Sequence, residues 1–306
     1  MAKIKRSFNW KWSTGPIGVT LIAAALWGLS GTAAQILFQT YAFPTTGLVM
    51  IRALLAGLIL LAWFRPKWPR EISRKLIVYA IIGILPSQLF YFITIAYSNI
   101  VTALLLEYLF LPMIIIYETF TGRFRLTPLR SFMLGLTILG VLFVLLGGGG
   151  SLHLSIAPIA LVSGILSAFG TAYYNLFSRP LTKEHSTWEI TGWGFLIVGL
   201  VMLVPGVMSL SQMAPASGLP NLLVILLLVL VVAILGTLLA YGLLLLALKK
   251  LSATEVNVVA TTEPVFAAVF SFVVFGALLS GLQYFGGALM IIAVIVLRGI
   301  TPEDKR

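Results

Sequence analysis

Apolar residues in this chain gather into long unbroken runs, and polar residues are confined to short gaps between them. The runs cover residues 16–38, 45–64, 76–97, 101–120, 131–146, 156–177, 188–207, 221–248, 252–275 and 281–297. Most approach the roughly 20 residues that carry an α-helix across the hydrocarbon core of a bilayer. A barrel strand would alternate apolar and polar positions instead. A backbone crossing lipid must also satisfy its own hydrogen bonds, which a helix does. The pattern predicts an all-α integral membrane protein with ten transmembrane helices.

Composition agrees. Apolar residues make up 60% of the 306 and charged residues only 9%, against roughly 25% charged in a soluble domain. The net charge of +11 does not indicate a nucleic-acid partner, because the cations sit in loops where they set topology. Lys3, Lys5, Arg6 and Lys11 precede the first run. Arg65, Lys67, Arg70, Arg74 and Lys75 follow the second, and Arg123, Arg125 and Arg130 follow the fourth. Arg179 and Lys183 follow the sixth, Lys249 and Lys250 the eighth, and Arg298, Lys305 and Arg306 the tenth. The intervening loops at 39–44, 147–155 and 208–220 carry no Lys or Arg, and Arg52 alone breaks the alternation. Cations collect on the cytoplasmic side, so both termini are expected inside, in the plasma membrane of the cell. The basic start is read as the approach to a retained first helix, not a cleaved signal, since its apolar run is too long. With no cysteine in the chain, disulfides, thiolate metal sites and thiol catalysis are excluded.

The runs also repeat. Pro112 and Pro264 lie 152 residues apart, and the same offset pairs Thr102 with Thr254, Gly135 with Gly287 and Gly147 with Gly299. Gly31-Thr32 matches Gly170-Thr171 at an offset of 139. Each half holds five predicted helices. Five is odd, so the second half enters from the opposite side, giving the inverted repeat common in secondary transporters. The expected organisation is a cytoplasmic segment at 1–15, one repeat at 16–147, an outer linker at 148–155, a second repeat at 156–299 and a cytoplasmic tail at 300–306.

Four stretches resemble the drug/metabolite transporter superfamily, and within it the EamA-type transporters. They are ALWGLSGT at 25–32, RALLAG at 52–57, ALLLEYLFLPMIII at 103–116 and TTEPVFAAVFSFVVFG at 261–276. The resemblance covers nearly the whole chain. It implies a small-metabolite carrier whose helices 1–4 and 6–9 line a central cavity, with helices 5 and 10 at the periphery. Many relatives carry an acidic residue just after the ninth helix, where this chain reads GALLSG at 276–281.

Charges in the hydrocarbon region are costly and mark function. Arg52, Glu107 and Glu263 fall well inside predicted spans, at about eight, seven and twelve residues from the nearer ends, hence at similar depth. The expectation is an Arg52–Glu107 pair, leaving Glu263 to take a coupling proton or meet a substrate ammonium, with Glu107 the alternative proton carrier. Glu255, near the inner end of the ninth span, is expected to reach the interface. Pro112 and Pro264 should kink their helices and free the carbonyls of Tyr108 and Ala260 beside the two acids.

Aromatic faces bind ammonium groups and planar solutes. Trp27, Tyr91, Tyr108, Tyr173, Tyr174, Trp193 and Tyr241 lie within spans and are candidate binding residues, with Gln88, Asn175, Thr261 and Thr262 as hydrogen-bonding partners. Trp10, Trp12, Trp63, Trp68 and Trp188 fit interfacial belts. His153 and His185 fall in loops with no assigned role. Gly135 and Gly287 are expected to bring helices 5 and 10 together, as a scaffold or a homodimer face.

The function that follows is secondary transport of a small metabolite, amino acids first, by alternating access around a midplane cavity, in the direction of export. No cofactor, metal or nucleic acid is implied; the partners are the substrate, the bilayer and, in a homodimer, a second copy. The alternatives are a membrane enzyme or a translocase acting on lipid or isoprenoid head groups. The enzyme would need a catalytic cluster at the interface that the loops do not supply.

Overall fold

The computed structural model describes residues 15–122, 127–146, 156–182, 185–213, 218–248, 250–251, 256, 259–276 and 279–300. Glu255, His153, Trp10, Trp12, Thr254, Gly147 and the N-terminal cations lie outside these. Every regular element among the described residues is helical. We label them α1 (Pro16–Tyr41), α2 (Thr45–Phe64), α3 (Arg70–Tyr97), α4 (Ile100–Phe120), α5 (Pro128–Leu146), α6 (Pro158–Thr182), α7 (Thr187–Val201), α8 (Leu203–Ser211), α9 (Leu219–Leu230 continued by Val231–Leu239 and Ala240–Leu248), α10 (Glu263–Phe275) and α11 (Gly281–Ile300).

Among the described residues, six helices are long and apolar enough to cross a membrane: α1, α2, α3, α4, α6 and α9. The single straight span expected over 188–207 is instead a broken pair. α7 and α8 meet at Met202 with a bend of 50°, and only as a pair are they long and apolar enough for a seventh crossing. Shorter apolar stretches remain at Ser131–Phe143, Glu263–Phe275 and Gly281–Ala293.

Local chemistry sets the ends. α1 starts with Pro16 in its first turn, where the missing N–H is no loss. Asn99 caps α4 by accepting from the Thr102 amide at 2.8 Å, and Ser186 caps α7 by accepting from Glu189 at 3.2 Å. Such caps satisfy amides that have no partner inside the helix.

α2 packs along α7, α3 along α6, α1 along α9 and α10, α4 along α6, and α5 along α11. With the predicted spans numbered one to ten, this pattern maps onto itself when each is exchanged for the one five places away. The contact of 1 with 8 becomes 6 with 3, and that of 1 with 9 becomes 6 with 4. The α2–α7 crossing shows the relation in detail. A Cβ on Gly57 would meet the Leu196 amide nitrogen at 2.6 Å, and one on Gly199 would meet that of Leu54 at 2.9 Å. The helices therefore run antiparallel, and Leu54 and Gly57 recur as Leu196 and Gly199 after 142 residues. Only glycine allows backbones this close.

α5 and α11 also pack closely, but not through Gly135 and Gly287 as expected. Gly135 has nothing within 4 Å of its Cβ position, and Gly287 has only ordinary contact with Leu105. The close residue is Gly140, against the Gly286 carbonyl at 2.6 Å and the Met290 side chain. The 3.6-residue period decides which glycine faces the partner, and offset matching could not supply it.

One feature escaped the sequence. Two segments wind as π-helix, Tyr79–Ile84 inside α3 and Val231–Leu239 inside α9. They begin 152 residues apart, the same separation as Pro112 and Pro264. π-Turns are rare and cluster at functional sites.

Candidate substrate cavity

The middle of the bundle holds a cavity of about 210 Å³. Its walls come from α1, α2, α3, α4, α6, α9 and α10. Ten expected residues line it: Trp27, Arg52, Gln88, Tyr91, Glu107, Tyr108, Tyr174, Asn175, Tyr241 and Glu263. Three others lie elsewhere. Tyr173 faces away from its neighbour Tyr174 into a separate crevice, since adjacent residues on a helix point about 100° apart. Trp193 packs edge-on against Trp68 at 4.9 Å, its indole nitrogen buried and without a partner among the described residues. Trp68 is accordingly a packing residue, not part of a lipid-facing belt, whereas Trp63 is 65% exposed and fits one. The Thr262 hydroxyl turns back to donate to the Val259 carbonyl at 2.7 Å. No residue of α7 or α8 lines the cavity, which departs from the lining by helices 1–4 and 6–9 that the resemblance implied.

The three charges converge, but the expected Arg52–Glu107 ion pair does not form: among the described residues the sole contact of a basic with an acidic side chain within 4.0 Å is the hydrogen bond of His185 with Glu189, at 3.2 Å. Arg52 instead donates from Nε to the Thr237 hydroxyl at 2.6 Å. Its guanidinium carbon stands 5.3 Å from the Phe92 ring centre, within cation–π range. Thr237 in turn donates to the Val232 carbonyl, five residues back in the π-segment, at 3.2 Å. Arg52 is thus tied across the halves to the π-turn of α9. Glu107 accepts from the Thr171 hydroxyl of α6 at 2.8 Å, another contact between halves. Among the described residues no hydrogen bond reaches the Glu263 carboxylate.

The backbone presents both acids at helix breaks. α4 is interrupted at Tyr108–Leu109, directly after Glu107, and resumes at Phe110. Pro112 does not leave the Tyr108 carbonyl free as expected, because the Leu111 amide donates to it at 3.2 Å in a tightened turn. In the other half, Thr261 and Thr262 form a turn and α10 begins at Glu263. Pro264 is therefore a first-turn proline, not a mid-helix kink. A carboxylate in the first turn also sits favourably on the positive end of the helix dipole.

The rest of the cavity is aromatic and polar. Trp27 and Tyr241 meet edge to face with centroids 5.3 Å apart. Asn175 donates to the Thr171 carbonyl at 2.7 Å. The Gln88 amide nitrogen reaches Ser87 at 3.4 Å, and among the described residues its buried Oε1 has no donor. Thr171 and Thr237 are the residues that sequence reasoning missed. Threonines are common in membrane helices, and only the folded chain shows which ones face a charge. The Gly170–Thr171 repeat of Gly31–Thr32 was the available hint for the first.

Among the described residues no cluster of three or more His, Cys, Asp or Glu has metal-binding geometry. Comparison with known proteins adds an independent line. The model of the EamA-like transporter family matches the chain twice, over residues 15–146 and 158–299. YicL of Salmonella typhimurium, described as an uncharacterized inner membrane transporter, is 28% identical over 285 residues, covering 90% of this chain and 93% of that protein. One crystal structure of a protein aligns at a TM-score of 0.61 with 19% identity, covering 93% of this chain and 99% of the other, a likeness of fold alone. Apolar helices, a polar cavity enclosed among them and a family match over nearly the full length lead to one assignment: the chain belongs to the EamA-like transporter family, multi-pass membrane transporters of small molecules and not enzymes.

Proposed function

We propose that this protein is a secondary transporter that exports a small zwitterionic metabolite, amino acids first, across the inner membrane. The observation that carries the reading is the arrangement of charge. One guanidinium and two carboxylates open on a single cavity, each tied to a threonine or to nothing, none to another. In that setting Arg52 meets a substrate carboxylate, and Glu263 and the Gln88 carbonyl meet an ammonium, with aromatic faces at the sides. The fold would act as ten crossings in two inverted sets of five, the short apolar helices α5, α10 and α11 completing the count, with both termini in the cytoplasm. Rocking of one set against the other exposes a midplane cavity alternately to each side. Proton uptake by Glu263, or by Glu107, drives the cycle.

The test is flux in proteoliposomes of the purified protein, with labelled amino acids and a pH gradient of either sign. Substrate movement that follows the gradient in the wild type and loses that dependence in Glu263→Gln is expected. Normal, gradient-dependent transport by Glu263→Gln removes the coupling role. Normal transport by Arg52→Ala removes the charge cluster as the site.

A further inference from the structure

A second crevice, of about 270 Å³, opens on the flank of the bundle between α3 and α6. Arg74 and Lys75 stand at one end of it, in the first turns of α3. Val78 and Tyr79 of α3 and Tyr173 and Phe177 of α6 form the walls. Both cations are exposed, and among the described residues neither forms an ion pair.

Beyond the cations the flank is continuously apolar. On α3, Val78, Ile81 and Ile82 are exposed, and Ile82 lies about 12 Å further along the axis than Arg74. On α6, Phe169, Tyr173 and Phe177 form a ladder of rings with successive centroids 6.4 and 4.4 Å apart. The crevice is therefore apolar along its length and flanked at one end by two exposed cations. A soluble anion would use only the mouth. A zwitterionic lipid would bring its own ammonium beside the phosphate and leave the net charge of the two cations unbalanced.

We infer that this crevice seats an anionic phospholipid of the bilayer, its phosphate between Arg74 and Lys75 and an acyl chain along the ring ladder. The seat adjoins the transport machinery. Gly83, in the π-segment of α3, lies against both Tyr173 and Tyr174; Tyr173 walls the crevice and Tyr174 walls the central cavity. A lipid held here braces the α3–α6 seam from outside.

The test uses the purified full chain in mixed micelles of phosphatidylglycerol and phosphatidylcholine with matched acyl chains, with bound lipid read by native mass spectrometry. Wild type should retain phosphatidylglycerol in preference, on the order of tenfold. The double variant Arg74→Gln/Lys75→Gln should fall to parity while melting normally in phosphatidylcholine. Phe177→Ser, which keeps the charges and breaks the ladder, should also lose bound lipid. Arg65→Gln/Lys67→Gln, in the connection just before α3 and outside the crevice, should keep the preference. An unchanged preference in the Arg74/Lys75 variant overturns the seat, and so does equal loss in the Arg65/Lys67 variant, which would mean diffuse surface charge. Displacement of the lipid by soluble glycerol phosphate at similar concentration would make this a site for free anions and overturn the lipid assignment.

Discussion

The two halves of this molecule share a backbone plan but not its chemistry. Each half has a π-segment at the same place, a helix break beside Pro112 or Pro264, and a glycine at the central crossing, Gly57 or Gly199. The charges have no such mates. At the offset of the prolines, Glu107 corresponds to Val259 and Glu263 to Leu111. At the offset of the crossing glycines, Arg52 corresponds to Gly194. The second helix of the first half is unbroken and carries Arg52, whereas its counterpart bends by 50° at Met202 and stays off the cavity. What is duplicated is the packing; what is unique to one half is the charge that faces the cavity.

That division can be broken by substitutions on either side of it. The largest effect is expected at Glu263, the carboxylate without a hydroxyl partner. Glu263→Gln should cut gradient-driven flux by about a hundredfold or more, the scale of losing a charged hydrogen bond in a closed site. Glu107→Gln, with Thr171 still beside it, should cost less. Equal losses at the two positions would mean that they act as one symmetric pair.

Next come the crossing glycines. Gly57→Val and Gly199→Val should each destabilise by about 3 kcal/mol, because the added carbons press on backbone. The two should match, since each faces a leucine amide from the other side. Gly135→Ala, in open space, should be neutral or stabilising by up to about 1 kcal/mol. Thermal unfolding in one detergent compares all three, and a large gap between Gly57→Val and Gly199→Val would sink the two-fold description.

Thr171→Val is expected to be smaller. It removes one hydroxyl from Glu107 and should weaken substrate binding about tenfold with little change in stability. A titration showing unchanged affinity would make Thr171 a packing residue. The smallest effect belongs to Trp193→Phe. It deletes a buried N–H with no partner and keeps the ring against Trp68, so the melting point should hold or rise slightly. A fall in substrate affinity would return Trp193 to the site.

The sequence made the membrane class legible because apolar length and charge between runs are local properties. It also located the three charges inside the spans, since any charge inside such a run stands out. The pairing of those charges was not legible. Arg52 and Glu107 share a half and a depth, but depth along an axis does not tell which way a side chain turns. Arg52 turns to Thr237, 185 residues away. Tyr173 and Tyr174 looked alike as neighbours and ended in different cavities for the same reason. The bend at Met202 did carry a local signal, Pro205, whose ring presses on the carbonyl of Val201 and which offers no amide to it. The break at Glu263 was read as a kink because the turn at Thr261–Thr262 takes only two residues.

The π-segments bear on how such a chain can be read at all. A regular helix keeps a constant phase of about 100° per residue, so a wheel drawn at one end forecasts which side chains share a face at the other. Each π-segment resets that clock. In α3 it falls between Arg74, on the outer flank, and Gln88 and Tyr91, on the cavity wall. A wheel carried straight through would misplace one group or the other. That helix is, in effect, written in two frames, and an insertion or deletion within Tyr79–Ile84 would turn Gln88 and Tyr91 away from the cavity wall while leaving the membrane-crossing length nearly intact.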